Sequence, residues 1–358
     1  MSTRREIGSE FNNCLISKKD TLNKFNEWDF FMSGRTALDA IIRDIKSKKN
    51  VSTALLPAYC CHSMVDPFVR NGIDICFYDV DLLNAEKICD QIMEKEYDIV
   101  LIMNYFGIAV EAFEKELEKL LLGTKDKITI VDITHSLFSD NLSLCKADYY
   151  FCSLRKWTGL YSGGMAFKKA GVFNYKTLDY LEEFVKPRKL AMTEKENYLV
   201  KGGEKSIFLD RFAKAEELLD QEYEGYGIDS ESLNMFLKLD FEKIREERKK
   251  NFAYLLESKD ILMDKGLVPI VSLNKTDYND VPLCFPVVAK SETLRNNIRK
   301  HLISNDIFCP VHWPLPSDVP VDFKAFDLSK RELSLVCDQR YNREDMKRII
   351  DVIKEYEP

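Results

Sequence analysis

The sequence predicts an α/β protein built on a mainly parallel sheet, and three observations carry that prediction. Short, near-continuous apolar runs of β type recur through the first half of the chain. Helical patterns separate them. The runs end at polar or glycine-containing turns, and open α/β sheets bind ligands at such strand ends.

Taken in order, Phe30-Phe31-Met32 leads into Ser33-Gly34-Arg35-Thr36 and then into Ala37, Leu38, Ile41, Ile42 and Ile45, whose spacing predicts a loop entering a helix. The expected strands follow as Thr53 to Leu56, Ile73 to Tyr78, Ile99 to Met103, Ile128 to Val131 and Tyr149 to Phe151. Side chains alternate across a strand, so unbroken apolar runs imply a sheet covered on both faces. Gly163 to Phe167 reads as a returning strand. From about residue 174 to 250 the chain turns helical and charged, with helices expected over Ala213 to Tyr223 and Leu239 to Phe252, bridging two domains. Val281 to Val288 reads as a strand, Glu292 to Ser304 as a helix and Arg343 to Glu355 as a closing helix of a smaller α+β unit. The proline-bounded stretch Cys309 to Pro316 reads as a rigid turn.

Composition sets the outer limits. The chain has 358 residues, 45% of them hydrophobic, enough for one large core and a smaller one. Net charge is −7, and the lysine-rich clusters Lys46 to Lys49 and Arg245 to Lys250 read as solvated helix faces rather than a nucleic-acid surface. No tract approaches a membrane-spanning length, and Met1 to Glu6 lacks the apolar core of a signal peptide, so a cytoplasmic protein is expected. The ten cysteines, among them Cys76, Cys89, Cys145, Cys284 and Cys309, sit in apolar stretches without zinc-ligand spacing. They read as small buried hydrophobes in a reducing compartment, and no metal site is expected.

The chemistry concentrates in Phe151 to Gly164, where an apolar run delivers Lys156 into a glycine-rich loop bordered by hydroxyls. Upstream, the Ile128 to Val131 strand ends at Asp132, with His135 one helical turn beyond. A lysine amine that binds an aldehyde, a carboxylate that keeps a ring nitrogen protonated, and a helix N-terminus that seats a phosphate together point to pyridoxal 5'-phosphate (PLP). Gly34 allows close backbone approach at that helix start, and Thr36 and Ser153 add hydroxyl donors. Burial and the neighbouring Arg155 cation are expected to favour the free amine of Lys156. Each residue also has a plainer reading: Lys156 as a surface lysine, Asp132 as a helix cap, His135 as a satisfied core histidine, Ser33 to Thr36 as a helix start alone.

The order Ser-Gly-Arg-Thr-Ala-Leu, Leu56-Pro57-Ala58-Tyr59, Asp132-x-x-His135 and Ser-Leu-Arg-Lys-Trp-x-Gly followed by Gly-Gly resembles the fold-type I PLP enzymes, and among them the DegT/DnrJ/EryC1/StrS group. That resemblance implies the aspartate aminotransferase-like fold: a seven-stranded, mainly parallel sheet with helices on both faces and a smaller C-terminal α+β domain. It implies a large PLP-binding domain over residues 26–240 and a small domain from residues 1–25 with 241–358. It also implies a homodimer with shared active sites. Carried onto this chain, Lys156 is the Schiff-base lysine and proton carrier, Asp132 the partner of the pyridine nitrogen, and His135 a neighbour of the phenolic oxygen. Gly34, Arg35, Thr36 and Ser153 match phosphate-binding positions, and Tyr59, or Cys61 or His62, falls where an aromatic stacks on the ring. His312 and Trp313 lie near the expected substrate mouth. A lysine at 156 argues against the group's dehydratase branch, which has histidine there. The group's Asn and Arg in a turn reaching the partner's site are missing from Tyr226 to Ser230.

The activity this implies is transfer of an amino group from an amino acid, Glu or Gln, to a keto-sugar, nucleotide-linked, in surface polysaccharide or related biosynthesis. The same residues admit two other readings. One is a PLP-dependent lyase or carbon–carbon bond-forming enzyme on the same fold. The other is a non-catalytic binding or regulatory protein, which the intact lysine, aspartate and phosphate-loop set disfavours.

Overall fold

A computed structural model describes residues 6–17, 25–82, 85–124, 126–139, 146–174, 177–270 and 280–357. Cys145 and parts of the expected N-terminal segment, residues 1–5 and 18–24, lie outside them. The central sheet contains β2 (Asp29–Phe31), β3 (Thr53–Pro57), β4 (Asp74–Tyr78), β5 (Ile99–Met103), β6 (Ile128–Asp132), β7 (Tyr149–Ser153) and β8 (Gly164–Lys168). Its spatial order is β2-β8-β7-β6-β5-β3-β4. Strands β3 to β7 run parallel, whereas β8 is antiparallel to both of its neighbours. Every residue of β5 and β6 is buried, so cover lies on both faces, as their unbroken apolar runs require. Three-residue β2 was not expected as a strand; it is too short to show a period of two.

Register delivers the chemistry. Met103 pairs with Asp132, Asp132 with Phe151, and Ser153 with Gly164, so the ends of β5, β6 and β7 lie side by side at one edge. Helix α1 (Gly34–Lys46) packs on β7 and β8 and starts at this same edge. Its first turn is fixed by Ser33, whose side chain accepts from the Thr36 amide. Helices α2 (His62–Arg70), α3 (Ala85–Met93) and α4 (Val110–Gly123) connect the parallel strands.

The charged middle of the chain forms α5 (Glu182–Lys201), α6 (Ser206–Gln221), α7 (Ser230–Leu237) and α8 (Phe241–Glu257), with α5 and α6 packed as a hairpin. Tyr226 to Ser230 is tied into its own fold: the Met32 amide donates to Tyr226 O, and Asp229 caps α7 while accepting from Ser162. After α9 (Lys259–Asp264) comes a second sheet of β9 (Leu267–Pro269), β10 (Phe285–Ala289) and β12 (Glu332–Leu335), antiparallel throughout. It packs with α10 (Glu292–Ser304), α11 (Lys324–Arg331) and α12 (Arg343–Glu355). The N-terminal β1 (Ile7–Gly8) pairs with β11 (Ile307–Phe308), bringing Ile7 into this second core with Phe252, Phe285, Leu333 and Ile350.

The expected strand at Val281 begins only at Phe285. Pro282 has no amide hydrogen to give a ladder, the Leu283 amide donates to Phe106 O, and the carbonyls of both are taken by Arg248. Cys76 is also a correction: it is exposed, while Cys60, Cys89, Cys152, Cys284, Cys309 and Cys337 are buried. No helix among the described residues is long and apolar enough to cross a membrane.

Candidate active site

Lys156 ends a single 3-10 turn, Leu154–Lys156, that leaves the tip of β7. Both sides of that turn are held. The Leu154 amide donates to Gly163 O, and the buried Trp157 indole donates to Thr134 O at 2.6 Å. Gln339 donates to Trp157 O at 2.6 Å, and the Arg248 guanidinium lies 4.4 Å from the indole centroid. The Gly159 amide reaches Asn13 O, and a Cβ at Gly159 would stand 2.5 Å from that oxygen. A rigid base therefore carries one free amine. Lys156 is exposed into a cleft and makes no hydrogen bond or ion pair among the described residues.

That exposure corrects the expectation of a buried lysine. The second half of the expectation changes too, because Arg155 has its own counterion: Glu216 of α6 accepts from Arg155 and from Arg188, each at 2.5 Å. Burial raises the Glu216 carboxyl, but the Arg155 and Arg188 guanidiniums outweigh it and hold it at about 2.

The cleft, about 200 Å³, is lined by Lys156, Asp132, His135 and Ser153 from the strand ends, and by Gly34 and Arg35 from the start of α1. His312 and Trp313, in the irregular stretch after β11, close it from the side of the second core. Asp132 is 4% exposed and accepts the Thr134 amide at 2.7 Å. Burial pushes its carboxyl up to about 6, against the Thr134 hydrogen bonds and the Lys156 cation. His135 accepts the Phe106 amide at Nδ1, 3.0 Å away, so its remaining proton sits on Nε2. Burial above all, with the nearby Lys156 cation adding to it, holds it well below the ordinary histidine range, so the ring is neutral. The turn that supplies this amide needs Gly107, where φ is +69° and a Cβ would lie 2.1 Å from His135 O.

At the α1 terminus the Ser33 hydroxyl is spent on the Thr36 amide and hydroxyl, which leaves the amides of Gly34 and Arg35 facing the cleft end. A Cβ on Gly34 would meet Ser153 Cβ at 2.9 Å, so glycine keeps this cradle open. Arg35 is pinned by Asp220 at 2.6 Å and lies over Tyr223, with a buried Nε that has no partner.

Two expected residues stand elsewhere. Thr36 is fully buried beneath the helix start, where its hydroxyl serves the cap. Tyr59 is fully buried behind the cleft; it packs 5.2 Å from Trp313, and its hydroxyl donates to His312 O. It supports the wall and has no face to offer a ring, while Cys61 does line the cleft and His62 does not. The aromatics that do line it include Phe151 and Trp313, the latter stacked on His135 at 5.6 Å and 25°. Thr134 and Glu216 were not singled out from sequence. Glu216 lies sixty residues past the lysine on a helix full of charges, with no local signal to mark it.

Lys156, Arg155 and His312 also border an adjoining chamber of about 440 Å³. Arg248, Arg299 and Arg340 line it against only Glu10 and Asp338. A larger cavity, about 730 Å³, lies beside the N-terminal segment and Lys195 and holds none of the strand-end residues.

No protein-family model matches the sequence, and no curated protein matches it. Solved structures do. The putative sugar aminotransferase Spr1654 from Streptococcus pneumoniae, in its PMP form, aligns with a TM-score of 0.62 at 13% identity, over 99% of this chain and 96% of that one. A DegT DnrJ EryC1 StrS aminotransferase from Brucella abortus gives 0.58 at 14% identity, over 91% and 85%. DesI, solved in the presence of its TDP-sugar product, gives 0.61 at 12% identity, over 91% and 79%. The chain has the fold of these aminotransferases.

Proposed function

We propose that this protein is a PLP-dependent aminotransferase of the DegT/DnrJ/EryC1/StrS type. One observation carries the reading: residues from two strand ends and one helix start converge on a single cleft, each with the chemistry PLP needs. The fit does not rest on the resemblance alone. Gly34 leaves a cradle that a Cβ would fill, beside free amides at a helix N-terminus suited to a phosphate. Asp132 is a buried carboxylate without a bonded cation, which a protonated ring nitrogen would satisfy. His135 offers an Nε2 proton to a phenolic oxygen.

When bound, PLP supplies the electron sink that lets an amino group change carriers. Lys156 Nζ is the anchor for its aldehyde and the group that takes up the proton leaving the donor's α-carbon. Asp132 would stand as the carboxylate for the ring nitrogen, and Gly34, Arg35 and Ser153 would hold the phosphate end. Arg155 is kept in place by Glu216, and the cationic outer chamber suits an anionic partner such as the carboxylate of Glu or Gln or the phosphates of a nucleotide-linked keto-sugar. Surface polysaccharide or related biosynthesis, cytoplasmic location and the division at residues 26–240 belong to the same proposal. So does a homodimer: Leu190, Leu199, Val200, Ile207 and Leu209 of the α5–α6 hairpin are exposed, an apolar surface that a second copy would cover.

The test is the absorbance spectrum of the purified protein with PLP, before and after L-glutamate. A visible band that glutamate converts to the shorter-wavelength band of the aminated cofactor supports transamination. A band that ignores amino donors points to the lyase reading, and no band at all refutes the role of Lys156.

A further inference from the structure

Behind His312 lies a buried polar chain that the reading above leaves unused. The His312 ring is 15% exposed, and its Nδ1 is 2.9 Å from the Ser334 hydroxyl. Ser334, fully buried on β12, donates its one proton to Glu332 Oε1 at 2.5 Å. The Glu332 carboxylate is also fully buried; its Oε2 accepts the His312 amide at 2.8 Å, and the Tyr59 hydroxyl interacts with it from β3's end. The Cys284 thiol donates to Ser334 Oγ at 3.1 Å.

Proton bookkeeping then settles the ring. A hydroxyl carries one proton, and Ser334 has given it to a carboxylate that can only accept. The oxygen can therefore only accept from His312, so the proton of the neutral imidazole sits on Nδ1. Nε2 is left with a lone pair and has no protein partner among the described residues, in a ring that borders both chambers beside Lys156. His135 is the reverse, with Nδ1 accepting and Nε2 protonated. The two ring centroids are 5.7 Å apart at 66°.

We propose that His135 and His312 form a tautomerically opposed pair, in which His312 Nε2 is a fixed acceptor for a hydroxyl or ammonium of the substrate. Ser334 and Glu332 are the positioning residues that fix it. Resting on the aminotransferase reading, this makes His312 a specificity-determining residue that favours a ketone bearing a neighbouring hydroxyl over an apolar one. An apolar ketone would leave the lone pair desolvated and unpaired.

The test is nitrogen-15 NMR of the full chain labelled in its histidine rings, at pH 8, without added PLP. The chain has four histidines, so His135→Phe and His312→Phe assign the two signals by their loss. The expected spectrum shows His312 protonated at Nδ1 and bare at Nε2, and His135 the inverse. Ser334→Ala should bring up an Nε2–H signal for His312, and Ser334→Thr, which restores the hydroxyl, should suppress it. A His312 protonated at Nε2 in the unmodified protein, as a tautomer or as a cation, overturns the proposal, as does a Ser334→Ala spectrum identical to it. The unmodified spectrum decides even where a variant fails to fold. Failure to gain visible absorbance with PLP would refute the aminotransferase reading while leaving the tautomer result standing.

Discussion

The cleft has two walls of different origin. One is made at the strand ends and the start of α1, by residues no more than a few positions from a turn: Gly34 and Arg35, Asp132 and His135, Ser153 and Lys156. The other is made by His312 and Trp313, held from behind by Glu332 and Ser334 of β12 and by Tyr59 of the large core. In the first wall Asp132, Ser153 and Lys156 are placed by their own strand and turn, with Arg35 and His135 steadied by Asp220 and the Phe106 amide. In the second, aim comes from hydrogen bonds to other segments, 20 and 22 residues on at Glu332 and Ser334 and 253 residues back at Tyr59. Strand ends are thus suited to reactive groups, and the second wall to discrimination among ligands.

Lys156→Ala tests the division most severely. Removing the amine from the first wall should abolish the visible PLP band and lower turnover by about 10² to 10⁴-fold, with the circular dichroism of the fold unchanged. An active variant would show that the amine is not the reacting group.

Asp132 comes next. Its carboxyl is raised to about 6 from an ordinary 3.8, so the folded chain holds a proton between these values that the unfolded chain has released. Stability without PLP should therefore fall as pH rises through that window, by up to about 3 kcal/mol from this group. Asp132→Asn lacks that loss. Urea unfolding at pH 4 and pH 7 should show the difference between variant and parent growing towards pH 7; a constant difference would mean Asp132 is not the buried acid the structure shows.

On the second wall, Tyr59→Phe leaves the His312 carbonyl one donor short, costing about 1 to 3 kcal/mol in denaturant unfolding. Since Tyr59 presents no face to the cleft, PLP affinity should barely move. A large loss of PLP with unchanged stability would restore Tyr59 as a ring-stacking residue. The smallest expected effect is Gly34→Ala, whose methyl must displace Ser153 by a few tenths of an ångström; PLP binding should weaken about tenfold, near 1.4 kcal/mol, in a spectroscopic titration.

The same division explains what could be read from the sequence. Strands β3, β5, β6 and β7 declare themselves because burial on both faces forces apolar side chains at consecutive positions, whereas edge strand β4, with Asp74 and Cys76 exposed, shows only through its short apolar run. Helices α10 and α12 fall at their expected bounds because Ser291 and the Asn342–Asp345 capping box mark the starts. That Lys156, Asp132 and Gly34 meet at one cleft was legible because each sits at a fixed offset from such an element. Tyr59 was aimed wrongly, since its position at a strand end does not tell which way the ring turns. Thr36 went to the cap because a hydroxyl three residues past Ser33 is already in reach of that side chain. Glu216, Glu332 and Ser334 act through pairings that only the folded chain creates.

The bond from Gln339 to Trp157 O has a mechanical meaning. Gln339 follows β12 in the second core, and Trp157 is the residue immediately after the lysine. A rotation of one core against the other must either rupture that bond or drag the lysine turn along. The Lys156 amine is thus tethered to the same lever that carries His312, and if the proposed function holds, opening the cleft would also retract that amine.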